Sequence, residues 1–136
     1  MVKNREDLYR WSIEKAEEYL QSASANLKSE RFYPAAEEIF RVVETSLEAM
    51  LYHYGIRKIE YPGRKKFTGR LALQFLIRDS LLKMGRIDSE TYDWYLDLAT
   101  ELHKAGYTHG RSFEKKFLED VLLFAEDLFY RAKSLG

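Results

Sequence analysis

Two histidines and a lysine lie within seven residues of each other in the last third of the chain: His103, Lys104 and His109. An imidazole can accept or release a proton near neutral pH. Cleavage of RNA by its own 2′-hydroxyl needs a proton acceptor, a proton donor and a positive charge near the phosphorus. These residues therefore suit a phosphate or RNA site. The alternative is that cations here only stabilise the C-terminal end of a helix.

A basic segment between Ile56 and Arg70 is a second candidate. Only Glu60 offsets its charge, and Tyr61 and Phe67 are interleaved with the cations. Basic and aromatic side chains together suit single-stranded nucleic acid, because bases stack on the rings while cations contact phosphates. The alternative is a solvated loop that contributes only solubility. The basic residues are Arg57, Lys58, Arg64, Lys65, Lys66 and Arg70.

A series of acidic residues, which we call the acidic pole, follows later in the chain without an intervening lysine or arginine. They are Asp88, Glu90, Asp93, Asp97 and Glu101. The first two suit the positive end of a helix dipole. The others would fit a basic partner surface or the basic segment of a second subunit. A solvated helix face is the alternative.

Helical spacing of apolar residues predicts the elements that position these groups. One stripe runs from Tyr9 to Leu27 and a second from Ala36 to Tyr54. Pro34 suits the first turn of the second helix, and Gly55 suits the position just after its end. The short connection between the two stripes predicts an antiparallel hairpin.

Three further helices are predicted. Thr68 is a plausible N-cap for the third, which runs from Leu71 to Met84 and ends at Gly85. Because this helix is apolar almost all round, we expect it to be central or to lie at a subunit contact. Asp88 or Ser89 caps the fourth helix, and Ser112 caps a fifth that is striped from Leu118 to Leu135. No strand is predicted, so residues 1–136 are expected to form one all-α, up-and-down bundle of about five helices.

Composition narrows the functional classes. The chain has 136 residues and no cysteine, which excludes disulfides and thiolate metal sites. The 22 Lys and Arg residues balance the 22 Asp and Glu residues, so net charge predicts no bulk attraction to nucleic acid. No apolar run approaches the roughly 20 residues of a membrane span, and we expect a cytoplasmic protein. His103 and His109 lack a metal-ligand spacing, so neither a metal nor a cofactor is expected.

A tryptophan-bearing first helix, an alanine-rich second helix centred on a glutamate, and a following glycine form a recognisable order. The most specific part is the stretch FYPAAEEIFRVVETSLEAMLYHYG. The matching residues are Trp11, Ala16, Leu20, Tyr33, Ala36, Glu44, Leu47, Ala49, Met50, Leu51 and Gly55. In these features the chain resembles the HEPN family, and the layout covers nearly the whole chain.

The resemblance implies a nucleotide- or RNA-associated helical domain. Members commonly dimerise and cleave RNA without a metal, or act with a small nucleotidyltransferase in toxin–antitoxin-like pairs. The family often carries an Arg-x4-6-His motif, and here Lys104 and His109 occupy it, with Ala105 where a polar residue often follows. Lysine cannot form the bidentate fork of arginine to phosphate. This departure argues against nuclease activity more than against phosphate binding.

Glu44 lies among the apolar residues of the second helix. The resemblance implies a position near a shared dimer interface, where it would orient Lys104 or His109. The alternative is an exposed residue that pairs locally with Arg41.

The chain also has more aromatic residues than a small core needs, so part of the set is expected to form a homodimer surface. These aromatics are Trp11, Tyr19, Trp94, Tyr95, Phe124, Phe129 and Tyr130.

The resulting hypothesis is a dimeric binding module for RNA or a nucleotide that works with a separate nucleotidyltransferase. The alternatives are a metal-independent ribonuclease that uses His109 and Lys104 at a dimer interface, and a helical adaptor with no ligand.

Overall fold

The computed structural model of the protein describes residues 5–61, 67–105 and 114–136. In these residues the predicted all-α class, with about five helices, is confirmed. The α-helices are α1 (Arg5–Lys28), α2 (Phe32–His53), α3 (Gly69–Leu76), α4 (Ser89–Ala105) and α5 (Lys115–Lys133). A π-helical segment, Ile77–Leu82, continues α3.

Two short strands, β1 (Glu60–Tyr61) and β2 (Phe67–Thr68), pair in antiparallel fashion before α3. The prediction of no strand was therefore wrong at this point. The residues involved include an aromatic and a β-branched type that favour extended backbone. A strand of two residues is too short to show the alternation by which strands are predicted.

The first two helices form the predicted hairpin. Only residues 29–31 connect them, and such a short connection requires antiparallel neighbours. Ala16 and Ala23 are fully buried on the stripe of α1, and small residues there allow the α2 backbone to approach closely. Pro34 is the third residue of α2, where the missing N–H would have had no helical partner.

The central helix is α2, which packs against α1, α4, α5 and the π-helical segment. Six consecutive residues from Val42 to Leu47 are buried, so this part of α2 is covered on every side. The sequence favoured the third helix for a central or subunit-contact position. It is not the central helix in this structure, because Leu71 at its start is exposed while α2 fills the middle.

The predicted helix ends at Gly55 and Gly85 are correct. Both residues adopt positive φ angles, 105° and 71°, which glycine tolerates without strain. Asp88 caps α4, since its Oδ1 accepts the Thr91 N–H at 2.8 Å. The predicted cap Ser112 lies outside the described residues, and the residue directly before α5 is instead Glu114.

Among the described residues, no helix combines the length and the apolar character that crossing a membrane requires.

Candidate functional site

A carboxylate buried in the middle of α2 organises the site. Glu44 is only 5% exposed. Its Oε2 accepts a hydrogen bond at 3.0 Å from Nε of Arg70, which lies in the first turn of α3. The Nη1 atom of Arg41 lies 3.9 Å from the other oxygen, Oε1. The alternative of an exposed Glu44 with only a local partner is therefore wrong, and its predicted role of orienting Lys104 or His109 stays a prediction.

Arg70 is held from a second direction by an aromatic ring. Its guanidinium carbon lies 5.3 Å from the ring centroid of Phe40, one helical turn before Glu44. Such cation–π contacts favour an oriented guanidinium. Because the Arg70 side chain is still 37% exposed, the pair fixes its direction without removing it from solvent.

These residues line an open cavity of about 440 Å³ between α2, α3 and the residue before β1. The charged lining residues are Arg41, Glu44, Glu48 and Arg70, and the apolar ones include Ile59 and Leu73. Two guanidinium groups therefore stand at one opening, with a buried carboxylate that fixes at least one of them. This arrangement suits a phosphate group, to which arginine can donate paired hydrogen bonds.

Glu48 lies one turn beyond Glu44 and also faces the cavity. Burial raises the pKa of Glu48 to about 6, and the negative charge of Glu44 adds to the rise. Lys15 and Arg41 oppose it. Close to neutral pH this carboxyl group therefore exchanges its proton, and the charge that lines the cavity changes with it.

The buried Tyr95 of α4 forms the inner side of the cluster. Burial raises the pKa of the Tyr95 phenol, and the charge of Glu44 adds to that effect. Tyr95 therefore stays a neutral phenol at physiological pH.

Of the predicted basic segment, Arg57 and Lys58 are exposed and directly precede Ile59 of the cavity lining. Arg70 belongs to the site itself. Arg64, Lys65 and Lys66 lie outside the described residues. The sequence placed Glu44 and Arg70 in separate hypotheses, and the structure brings them together.

The roles expected of Lys104 and His109, which occupy the family motif, and of the preceding His103 are not tested. His103 and Lys104 fall within the last turn of α4, but their side chains lie outside the described part of the chain. His109 lies outside the described residues altogether. Their proposed roles remain predictions.

A larger cavity, about 720 Å³, lies between α4 and α5 rather than at Glu44. The predicted acidic pole lines it: Glu90, Asp93, Asp97 and Glu101, together with Trp94 and Phe117. These carboxylates would repel a phosphate-bearing ligand. The smaller cavity is therefore the better candidate for that class of ligand, despite its size.

Metal ions have no evident place in the described part of the chain, where no three histidine or acidic side chains converge as ligands.

Comparison with known families decides the classification. The model of the HEPN domain matches residues 9–135, from the first turns of α1 to beyond the end of α5. The chain belongs to the HEPN family. The predicted resemblance is thereby confirmed over nearly the whole chain. No curated protein and no solved structure gave a significant match.

Within this HEPN domain, the sequence indicated Arg41 and Glu48 only as residues that could pair locally. Arg41 lies three residues before Glu44 and Glu48 lies four residues after it, so all three share one face of α2. That spacing was visible in the sequence. The pairing of Glu44 on this face with Arg70, 26 residues further along the chain, was not visible in the sequence.

Removing Arg70, the partner of the buried Glu44 charge, should lower the free energy of unfolding more than removing the Glu44 charge itself. We expect Arg70→Ala to lower the free energy of unfolding by about 2 kcal/mol, less than for a fully buried pair because Arg70 is partly exposed. Glu44→Gln should cost under about 1 kcal/mol, because Arg70 can turn to water. The double variant should regain most of the Arg70→Ala loss. Urea unfolding of the four proteins measures this, and equal midpoints for Arg70→Ala and the double variant would contradict it.

Glu48 should make stability depend on pH. Its folded-state pKa of about 6 lies above its ordinary value of 4.5, so folding favours the protonated form. The stability that this protonated side chain contributes is fully present below pH 4.5, and it is lost as the pH rises through the folded-state pKa of about 6. Glu48→Gln should therefore gain up to about 2 kcal/mol at pH 7.5 and nothing at pH 4. Urea unfolding at both pH values tests this.

The matched control is Glu37→Gln, an exposed residue of the same helix. It should change stability little at either pH. A gain for Glu48→Gln that is equal at both pH values would rule out titration as the cause.

Proposed function

We propose that this HEPN domain binds the phosphate groups of RNA or of a nucleotide at the cavity formed by Arg41, Glu44 and Arg70. The observation that carries the proposal is the buried Glu44 carboxylate, which holds the Arg70 guanidinium at 3.0 Å beside an open cavity. A guanidinium fixed in advance loses less conformational freedom when a phosphate binds.

The charge balance around the cavity supports an anionic ligand. Arg41, Arg70 and the exposed Arg57 and Lys58 contribute four positive charges against the three acidic residues Glu44, Glu48 and Glu60. The domain as a whole has no net charge, so attraction to a polyanion has to be local. Exposed cations next to an oriented arginine provide such a local field.

We also propose that the domain forms a homodimer across the face that carries this cavity. Trp11, which is 43% exposed, packs its ring under Lys15 with the Nζ atom 3.9 Å from the centroid. The charge of Lys15 in turn acts on Glu48, so Trp11 borders the same face. An exposed tryptophan next to a polar centre is typical of protein interfaces.

The partner that we propose beyond the second copy is a separate, minimal nucleotidyltransferase, with which the domain would form a toxin–antitoxin-like pair. Support for this partner comes from family membership. The ribonuclease alternative, with His109 and Lys104 as the catalytic residues, is treated as an outcome of the experiment that follows.

RNA binding should be measurable and salt-dependent. We expect a fluorescein-labelled 12-nucleotide oligouridylate to bind at 50 mM salt and to dissociate towards 200 mM. Replacing Arg41, Arg57 and Lys58 by glutamine should reduce the slope of log affinity against log salt by about 2, since each lost phosphate contact removes roughly 0.7. Fluorescence anisotropy measures both, and electrophoresis of the recovered RNA shows whether it is intact.

The control carries glutamine in place of Arg10, Lys115 and Lys116, three exposed cations on α1 and α5. It loses the same charge but should keep the wild-type slope. No binding by the wild type at 50 mM salt would refute the proposal. If the wild type cleaves the RNA and His109→Ala leaves it intact, the domain is a ribonuclease and not only a binding module.

The dimer should depend on Trp11. We expect sedimentation velocity to give twice the monomer mass for the wild type and the monomer mass for Trp11→Glu, because an interface core does not accept an unpaired charge. Leu123→Glu on α5, where the leucine is 66% exposed, should leave the dimer intact. The same experiment with a separately purified minimal nucleotidyltransferase added should show a larger complex. An unchanged mass for Trp11→Glu would refute this interface.

A further inference from the structure

The π-helical segment, Ile77–Leu82, departs from the α-helix that precedes it. The backbone N–H of Lys83 donates to the carbonyl oxygen of Arg78 at 2.9 Å, five residues earlier rather than four. Single turns of this kind are rare and are frequently found at functional sites. The sequence around it, IRDSLLK, carries three charged groups.

The wider turn brings these charges together. Residues five apart in an α-helix point about 140° away from each other, whereas the π turn places Lys83 closer to the side of Arg78. Asp79 joins the two: its Oδ1 lies 2.8 Å from Arg78 Nε and 3.2 Å from Lys83 Nζ. Arg78 also donates from Nη2 to Asp79 Oδ2 at 3.2 Å. One carboxylate thereby fixes two cations side by side.

A third cation follows after the turn at Gly85. The Nη1 atom of Arg86 donates to the backbone oxygen of Ser80 at 3.1 Å. Its guanidinium carbon lies 4.0 Å from the ring centroid of Tyr54. Between the cations, Met84 is 60% exposed and offers an apolar surface. We name these four residues, Arg78, Lys83, Met84 and Arg86, the π patch.

The π-helical segment packs against α4, and the charges of Arg78 and Arg70 act on two neighbouring tyrosines of that helix. Burial raises the pKa of Tyr92 on α4, and the charge of Arg78 opposes the rise. Burial likewise raises the pKa of Tyr95, one turn away, and the charge of Arg70 opposes that rise. The rings of the two tyrosines are 6.3 Å apart. Arg70 and Arg78 therefore face neighbouring positions of α4.

The two clusters are too far apart for one phosphate. Arg70 and Arg78 are eight residues apart, which is about 12 Å along the helix axis. Each guanidinium is held by its own carboxylate, Glu44 or Asp79, so the side chains do not swing together. A ligand that uses both needs more than one phosphate group.

We propose that the π patch is a second contact for single-stranded RNA, so that the bound strand runs along α3 and the π-helical segment from Arg70 to Arg86. This inference rests on the proposed function, which concerns only the first contact. The cations contact successive phosphates, and the exposed face of Met84 accepts an unstacked base. Basic grooves with apolar platforms bind single strands with little sequence preference.

The experiment compares a long and a short probe. A variant with glutamine at positions 78, 83 and 86 is titrated with a labelled 12-nucleotide oligouridylate and with a labelled trinucleotide at 50 mM salt. We expect at least a tenfold loss of affinity for the 12-mer and a salt slope reduced by about 2, from three lost contacts of roughly 0.7 each. Affinity for the trinucleotide, which reaches only the first contact, should change less than twofold.

The control is the Arg10, Lys115 and Lys116 glutamine variant, which removes equal charge elsewhere. Should the triple variant unfold, Lys83→Gln with Arg86→Gln spares the Arg78–Asp79 pair and should lower the slope by about 1. A 12-nucleotide oligothymidylate tests whether the 2′-hydroxyl contributes to binding. If it binds as tightly as the RNA, the ligand is single-stranded nucleic acid in general, and the assignment to RNA is overturned.

Two results overturn the inference in distinguishable ways. If the wild type binds both probes and the π-patch variant matches the control, the second contact does not exist and the first survives. If the wild type binds neither probe, the proposed function itself fails and this inference fails with it.

Discussion

A carboxylate that is almost completely buried has to be paired, and this constraint on Glu44 positions the elements around it. An isolated buried charge is too costly to keep. The Arg70 guanidinium satisfies it at 3.0 Å, so the start of α3 has to lie against the middle of α2. The antiparallel strand pair delivers the chain to that point. The need to pair Glu44 in the core thus fixes the position of Arg70, whose side chain is partly exposed to solvent.

The central position of α2 explains why this site can be rigid. Its buried residues face α1, α4, α5 and the π-helical segment at once. Close-packed surroundings restrict movement of the side chains that they contain. The partly exposed Arg41 and Glu48 stand on the one face of α2 that opens to the cavity. The scaffold is therefore rigid where the charges are anchored and open where a ligand would enter.

Local features of the fold were predictable from the sequence. Apolar stripes, the glycines at 55 and 85 and the cap at Asp88 act within a few residues, so their signals lie within one window of sequence. Of the two positions predicted for the third helix, the central one is occupied by α2 instead, because apolar composition does not reveal how many neighbours a helix has, and the subunit contact stays a prediction. The strand pair was missed since it is only two residues long on each side.

Site residues were predictable one by one but not as a group. Glu44 was notable as an acid among apolar residues, and Arg70 as a cation in a basic segment. Their pairing depends on the path of the chain between them, which no local pattern encodes. The candidates Lys104 and His109 came from the family motif and stay predictions. The cations of the π patch were not singled out at all, because their proximity arises from the π turn and not from their spacing.

A π turn contains one residue more than the α turn that it replaces. A chain with one residue fewer between Leu76 and Gly85 would continue as a regular α-helix and would still end at its glycine. Arg78 and Lys83 would then be four residues apart and would still share one side of the helix, while the residues after the deletion would turn relative to α3. The length of this short stretch therefore sets how the segment from Lys83 to Arg86 is oriented relative to Arg70.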